Sequence, residues 1–374
     1  MSAFVQGFGA ISPLGDSLAS TWTALCEGAR AHLERIPNAL RNRQFWYAPV
    51  PAKFVREVGR EPRLRRSGHL SLLAVQAARE ALLGAGDSTA EPNRVAGVFA
   101  VSSGGVNHTR RFYQDIVASG PHIASPALFP ETVFNAPGSH LAALLGSNGP
   151  SYTLVGDSSV GLTAIHFGSR LLASNADIER VVVVGTEEVD WILADAFQSW
   201  RMLSVSDKIT VFGPRRGTVL GEGAAAVVLG RTGPIRIEAS HSGIPFFSQS
   251  DAHFGAKKAL AQVLEGQTVD AILSGANGTF GDEVESECFK RSLAGVPVYA
   301  CKPALGEALG ASGVMQVVLA CQVSASQLLP GTLYAGDSCG TVNRVTRELT
   351  ANRALILAIG FNHQANALVI GLAS

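Results

Sequence analysis

Residues 149–164, with the sequence GPSYTLVGDSSVGLTA, combine a strand, a polar turn and the start of a helix. The run SYTLV has the composition of a strand, and the apolar spacing after Ser159 is that of a helix. Ser158 is therefore expected at a strand-to-helix turn, where acyl-transfer enzymes place nucleophiles because helix N-terminal amides stabilise negative charge. The strict GxSxG nucleophile turn is absent, since Val160 stands where the second glycine would be. A simple helix cap at Asp157 or Ser158 is the alternative interpretation.

Outside this segment, short β-branched runs alternate with longer amphipathic stretches, which is the pattern of an α/β protein. Strands are predicted at 94–101, 180–185, 223–229, 269–274, 354–360 and 367–372, and helices at 67–83, 159–173 and 311–323. The two halves follow the same order, because VVVVG and GAAAVVL of the first half correspond to ILAIG and ALVIGL of the second. This order predicts an internal duplication. The segment 235–254, rich in Ser, His and Phe, is interpreted as the connection between the halves.

The composition excludes several classes of protein. The chain has 374 residues, of which 47% are hydrophobic and 16% are charged, so it is expected to bury a large core rather than to be disordered. Thirty Lys and Arg residues balance thirty Asp and Glu residues, which argues against a nucleic-acid partner. The apolar runs are much shorter than the roughly 20 residues of a membrane-spanning helix, so no membrane span is predicted.

Cysteine usage and glycine patterns exclude further kinds of site. The five cysteines contain no CxxC pair, so a disulfide framework or a metal site is not expected, and a reduced cytoplasmic location is predicted. The GFGAIS run at 7–12 lacks the third glycine of a dinucleotide fingerprint and is followed by Pro13, and no Walker sequence occurs. No cofactor is expected.

Five longer motifs occur in order along the chain. They are GFGAISPLGDSLASTWTAL (7–25), FPETVFNAPGSHLAALLGSNGPSYT (129–153), FGPRRGTVLGEGAAAVVL (212–229), CKPALGEALGASGVMQ (301–316) and GFNHQANA (360–367). Together they resemble the motifs of the β-ketoacyl synthases, the condensing enzymes of fatty-acid and polyketide synthesis. The resemblance implies an α/β protein with the thiolase-like, duplicated fold of α-β-α-β-α layers. It also implies an N-terminal half at 1–240 and a C-terminal half at 241–374, packed as one unit.

The resemblance places Ser158, Asn277 and Glu307 where the family has its catalytic cysteine and two histidines. In the family the cysteine accepts the acyl chain, and the histidines stabilise the enolate that forms when malonyl carrier protein loses carbon dioxide. A serine hydroxyl needs a neighbouring base, and the side chain of Asn277 cannot protonate a substrate. The carboxylate of Glu307 would oppose the enolate charge. No catalytic residue of the family triad is therefore retained, and decarboxylative condensation is not expected.

Four other positions match those of the family. Lys302 lies at the family lysine, and Asp282 and Glu285 fit the acidic pair after the first histidine. Phe361 lies in the last motif, at 360–367, which is called the closing loop below. The resemblance predicts a buried ion pair between Lys302 and Glu285, which would serve structure as readily as chemistry.

A preserved fold around a replaced triad resembles a non-catalytic subunit of the chain length factor type. Such a subunit forms a heterodimer with an active β-ketoacyl synthase, shapes its acyl tunnel and works with an acyl carrier protein in polyketide, polyene or fatty-acid-like biosynthesis. The resemblance places its contact surface on the family dimer face, which comprises residues 129–145 and the strand at 151–155, with Phe129, Phe134, Asn135 and His140 as the expected interface and tunnel residues.

Two other functions remain open from the sequence. The first is an acyltransferase or esterase that uses Ser158 as nucleophile with Glu307 or Asp157 as base, although a serine and an acid without histidine form a poor pair. The second is a regulatory module that binds acyl chains.

Overall fold

The computed structural model describes residues 3–38, 41–86 and 91–373. The strands are β1 (Ala3–Ile11), β2 (Glu34–Asn38), β3 (Arg43–Ala48), β4 (Val95–Val101), β5 (Ser151–Val155), β6 (Arg180–Glu187), β7 (Leu220–Gly221), β8 (Gly223–Gly230), β9 (Ile235–Pro245), β10 (Ala271–Ser274), β11 (Val298–Tyr299), β12 (Leu328–Leu329), β13 (Arg347–Glu348), β14 (Arg353–Gly360) and β15 (Gln364–Leu372). The α-helices are α1 (Leu18–Cys26), α2 (His69–Gly84), α3 (Val106–Ser119), α4 (Ala136–Leu145), α5 (Val160–Ser174), α6 (Trp191–Ser199), α7 (Ala252–Leu264), α8 (Phe280–Ser292), α9 (Lys302–Leu305) and α10 (Leu309–Ser326).

Within the described residues, ten strands form one mixed sheet in the order β11-β10-β14-β15-β9-β1-β8-β6-β4-β5. The three strands at each end are parallel, and the central strands are antiparallel. The order is symmetrical about the pair β1–β9. That pair joins the two halves of the sheet through three residue pairs, from Ala3 with Ile237 to Val5 with Ile235.

The helices divide the molecule into five layers. The central layer is α5 and α10, which pack against each other and against strands of both halves of the sheet. Helices α2 and α4 cover the outer face of the N-terminal half, and α7 and α8 cover that of the C-terminal half. Among the described helices, α10 has the length and apolar composition to cross a membrane, but 83% of that stretch is buried inside the protein. It therefore serves as the core helix of this fold.

Two glycines allow the central helices to cross closely. A Cβ atom on Gly161 of α5 would lie 2.5 Å from the backbone nitrogen of Val314, and one on Gly313 of α10 would lie 2.7 Å from that of Leu162. No larger residue fits either position without moving a helix, because native cores are close-packed. This crossing brings the N-terminal ends of both helices, and the residues that precede them, into the same region.

The fold predicted from the sequence is confirmed. All nine predicted strands and helices are present, with bounds that differ by at most three residues. The duplication is also confirmed, because VVVVG and ILAIG form β6 and β14, and GAAAVVL and ALVIGL form β8 and β15, at symmetrical places in the sheet.

The segment 235–254 does join the two halves, although as secondary structure rather than as a loop. Its first part is β9, which hydrogen-bonds to β1 and β15, and its end begins α7. Strand β9 continues through residues 240 and 241, and the division of the chain at that point stays a prediction.

Candidate functional site

The turn between β5 and α5 holds Ser158, with 3% of its surface exposed. The carboxylate of the preceding residue, Asp157, accepts hydrogen bonds from the backbone nitrogen of Ser159 (2.9 Å) and from its Oγ (2.8 Å). The other oxygen of Asp157 accepts a hydrogen bond from the backbone nitrogen of Asn362, at 2.6 Å. The predicted strand-to-helix turn is thus present. The N-cap of α5 is Ser159, so the alternative of a cap at Asp157 or Ser158 was wrong, and Asp157 instead joins the turn to the closing loop.

Glu307 is buried just before α10, and both of its carboxylate oxygens accept hydrogen bonds. Oε2 accepts from Nζ of Lys302 (2.7 Å) and from Nδ2 of Asn277 (2.6 Å). Oε1 accepts from Oγ of Ser312 (2.6 Å) and from the backbone nitrogen of Leu309 (3.0 Å). Two of the three triad positions, 277 and 307, are therefore in direct contact, and four donors surround one buried carboxylate.

The ion pair predicted between Lys302 and Glu285 was wrong, because Lys302 pairs with Glu307 instead. The Nζ atom of Lys302 also donates to the carbonyl oxygen of Gly275, at 2.8 Å. Burial acts to lower the pKa of Lys302, but the adjacent Glu307 carboxylate outweighs burial and the pKa is raised. Glu307 thus stands where the family has a histidine and takes the lysine as its counter-charge.

The acidic residues 282 and 285 have structural hydrogen bonds in the same interior. Asp282 accepts from the backbone nitrogens of Asn277, Gly278 and Phe212, and burial raises its pKa to about 6. Glu285 accepts a short hydrogen bond from Oγ of Ser274, and burial raises its pKa to about 8. A pKa of about 8 favours a protonated Glu285 at neutral pH, and Lys302, although near enough to lower this pKa, forms its ion pair with Glu307.

Phe361, the fourth retained position, is held by other aromatic rings. Its ring lies 5.5 Å from that of Phe197 and 5.9 Å from that of Trp200. Behind it, the side-chain nitrogen of Asn366 donates to the carbonyl oxygen of Ser159 at 3.0 Å. The closing loop is thus attached to the rest of the site on both sides of Phe361.

Burial raises the pKa of each of the five cysteines, so none has the environment of a reactive thiol. Burial raises the pKa of Cys301, beside Lys302, to about 11, and it raises the pKa values of Cys288 and Cys321 to about 12. Reactive thiols instead have lowered pKa values. Across residues 3–38, 41–86 and 91–373, no three His, Cys, Asp or Glu side chains are grouped so as to hold a metal ion.

A basic pocket of about 440 Å³ next to Thr279 was not predicted from the sequence. Its walls include Trp200, Arg201, Arg215 and Arg216, and the side chain of Arg215 also pairs with an exposed glutamate. The adjacent Arg215 and Arg216 in the motif at 212–229 could have indicated this pocket. The overall net charge is zero, however, and does not reveal a local cluster of basic residues. The pocket is suited to an anionic ligand.

The predicted contact residues do not all have the same environment. Phe129 and Phe134 expose 56% and 44% of their surfaces, and Asn135 is also exposed. His140 is instead partly buried, with Nε2 hydrogen-bonded to the buried carboxylate of Glu131. Three of these residues are available to a partner, and His140 supports the surface from within.

The arrangement is poorly suited to acyl transfer by the chain itself. Glu307 accepts four hydrogen bonds, so its carboxylate is already satisfied and is held away from the role of a base. Both oxygens of Asp157 accept hydrogen bonds from other donors as well. The oxygen of the Asn277 side chain accepts from Thr279 while its nitrogen donates to Glu307, so both ends of this amide are engaged. The polar side chains of the site therefore hydrogen-bond and pair mainly with one another.

Comparison with protein families gives two adjacent matches. A family described as Beta-ketoacyl synthase, N-terminal domain, matches residues 3–233, and one described as Beta-ketoacyl synthase, C-terminal domain, matches residues 234–335. A 3-oxoacyl-[acyl-carrier-protein] synthase 2 from Vibrio harveyi is 26% identical over 98% of this chain and 97% of its own length.

Solved structures share the fold over the whole chain. The ishigamide ketosynthase/chain length factor has a TM-score of 0.86 at 20% identity and covers 100% of this chain and 99% of its own. The ketosynthase ApeO in complex with its chain length factor ApeC, from Xenorhabdus doucetiae, has a TM-score of 0.84 at 19% identity, with coverage of 100% and 98%.

Proposed function

Because this chain belongs to the β-ketoacyl synthase family, we propose that it is a non-catalytic subunit of the chain length factor type. In this role it forms a heterodimer with an active β-ketoacyl synthase and shapes the acyl tunnel of that enzyme. The complex works with an acyl carrier protein in polyketide, polyene or fatty-acid-like synthesis.

The observation that carries this proposal is the environment of Glu307. A condensing site must stabilise an enolate, and it does so with donors that are free to face the developing negative charge. Here the nearest donors, Lys302, Asn277 and Ser312, all donate to the carboxylate of Glu307. An enolate at this place would compete with a resident anion for the same donors. The site therefore favours a structural role over decarboxylative condensation.

The open surface around β5 supports the proposed partner. Strand β5 is the last strand of the ten-stranded sheet, and its residues Val155 and Tyr152 expose much of their surfaces. An uncovered strand edge with exposed apolar residues is a site where a second chain can add. Two of the similar structures contain a chain length factor, which agrees with this kind of partner.

The basic pocket supports the participation of a carrier protein. Arg201, Arg215 and Arg216 line it, and Thr279 connects it to the interior network through its hydrogen bond with Asn277. An anionic group attached to an acyl carrier would be attracted to such a pocket.

Co-expression with a β-ketoacyl synthase that has an intact Cys-His-His triad tests the proposal. We expect a one-to-one complex by size-exclusion chromatography with light scattering. We also expect the complex to give a longer or more uniform product than the synthase alone, measured by mass spectrometry of carrier-bound chains.

Two variants separate the proposed role from catalysis by this chain. Ser158→Ala should leave the turnover of the complex within about twofold, because Ser158 does not accept the acyl chain. Alanine in place of the partner's cysteine should abolish turnover. A chain that stays alone and leaves product length unchanged would overturn the proposal. Loss of activity in Ser158→Ala, with an acyl adduct on the unmodified chain, would instead support the acyltransferase or esterase function.

A further inference from the structure

The carboxylate of Asp157 links two segments that are distant in sequence. Oδ1 accepts from the backbone and side chain of Ser159 at the start of α5, and Oδ2 accepts from the backbone nitrogen of Asn362 in the closing loop. Asp157 exposes 2% of its surface, and these donors are all uncharged groups. The adjacent helix N-terminus contributes a favourable field for this carboxylate.

The closing loop approaches Asp157 so closely that one position permits only glycine. A Cβ atom on Gly360 would lie 2.3 Å from Oδ2 and 2.4 Å from Oδ1 of Asp157. Asp157 and Asn362 also line one cavity of about 320 Å³ with Ser159 and Gln364, and Ser158 is not among its lining residues. The loop and the turn are therefore packed together at Asp157, with Ser158 behind the contact.

We propose that Asp157, Gly360 and Asn362 form a latch that holds the closing loop shut against the β5–α5 turn and seals Ser158 from solvent and reagents. A carboxylate is needed because both oxygens must accept hydrogen bonds. An asparagine of the same shape would turn an N–H group toward one of these donors and lose that bond. The latch is a property of the isolated chain, so this inference goes beyond the proposed function and does not depend on a partner.

The test uses a thiol as a reporter in the full chain. In Ser158→Cys, we measure the alkylation rate by iodoacetamide at the introduced thiol across pH, with mass spectrometry to separate it from the five native cysteines. The plateau rate at high pH reports access alone, because the thiol is then fully ionised. We expect slow alkylation, and we expect Asp157→Asn in the same background to raise the plateau about 10- to 100-fold, the factor that corresponds to one hydrogen bond to a charged group.

Two further variants make the result specific. Gly360→Ala keeps the charge of Asp157 but places a methyl group against its oxygens, and it should accelerate alkylation to a similar extent. Asp190→Asn is the control, because Asp190 is also buried beside a helix N-terminus, that of α6, where it accepts from the backbone nitrogen of Ile192 and pairs with Arg110. It should leave the plateau rate unchanged.

Amide hydrogen exchange gives a second readout that a thiol pKa cannot affect. Peptides that contain Asn362 should exchange faster in Asp157→Asn and in Gly360→Ala than in Asp190→Asn. The latch is overturned if the plateau alkylation rate and the exchange of the closing loop are the same in Asp157→Asn as in the parent chain.

Discussion

The two edge strands of the ten-stranded sheet, β11 and β5, occupy equivalent positions in the duplicated halves. They differ in whether the rest of the chain covers them. Strand β11 is buried and covered by its own chain, since Val298 donates to the carbonyl oxygen of Thr341 (3.0 Å) and accepts from the backbone nitrogen of Asn343 (2.8 Å). Among the described residues, β5 has a neighbouring strand on one side only, and Val155 is 56% exposed. The covered edge shows how this fold prevents pairing with another chain, and the open edge is where the proposed partner would add.

The largest effect on stability is expected from a substitution of Lys302. This residue is buried in the half of the molecule that contains the covered edge. Lys302→Met would leave Glu307 as a buried charge without its cation, which costs about 3–5 kcal/mol of the free energy of unfolding. Adding Glu307→Met should recover most of this loss, because the pair is then replaced by apolar side chains. Denaturant unfolding measures both values.

The control for Lys302 is an exposed ion pair in the same half. Arg291 pairs with Glu287 on the surface of α8 and is mostly exposed. Arg291→Met should change stability by less than about 0.5 kcal/mol, because solvent screens such pairs. If Lys302→Met were equally mild, the buried network would not be what stabilises this half.

The next effect concerns the open edge, where we expect loss of association without loss of stability. Val155→Arg places a charge on the exposed side of β5 and should weaken the complex with a synthase partner by at least about 100-fold, as for central interface residues. The thermal midpoint of the isolated chain should hardly change, because Val155 is not in the core. Leu83→Arg is the control, because Leu83 is also an exposed apolar residue but lies on α2 rather than β5. It should leave association intact. A complex that tolerates Val155→Arg would place the partner elsewhere.

Much of the fold was predictable because its signals are local and repeated. The runs that form β6, β8, β14 and β15 are continuous and apolar, as expected for strands with helices on both faces. Strand β9 was missed because the alternation of buried and exposed residues is limited to its first four positions, while its central part is only half-buried and contains Ser240 and His241.

The sequence predicted which residues lie at the site, but it did not predict which of them pair with each other. Sequence motifs placed residues 158, 277, 302 and 307 in one site, and the structure brings Asn277, Lys302 and Glu307 into contact. Lys302 could pair with either of two buried carboxylates, Glu307 or Glu285. It pairs with the one that also accepts hydrogen bonds from several other donors. Glu307 has three more, whereas Glu285 is stabilised by holding a proton. No local sequence pattern encodes that competition.

A smaller effect is expected from opening the covered edge. The side-chain nitrogen of Asn343 donates to the carbonyl oxygens of Pro330 and Val345, both at 2.8 Å, and so fixes the segment that covers β11. Asn343→Ala should cost about 1–2 kcal/mol, because buried acceptors lose their donor. Amide exchange of Val298 should accelerate while that of β5 stays unchanged. Equal exchange before and after the substitution would mean that the cover does not depend on Asn343.

The last expected effect is a dependence on pH, which is spread over several pH units and should act on the interior rather than on the open edge. The pKa of Glu285 is raised from 4.5 to about 8, so between these pH values the folded state binds more protons than the unfolded state. Stability should therefore fall as pH rises from about 4.5 to 8, with a slope of at most about 1.4 kcal/mol per pH unit from this group. Glu285→Gln should flatten the fall in thermal midpoint between pH 6 and 8.5, whereas Glu348→Gln, at an exposed carboxyl group, should not. Partner affinity between pH 6 and 8.5 should be the same in Glu285→Gln as in the parent chain, because Glu285 is buried away from the exposed side of β5. A difference in affinity would show that the two edges are coupled.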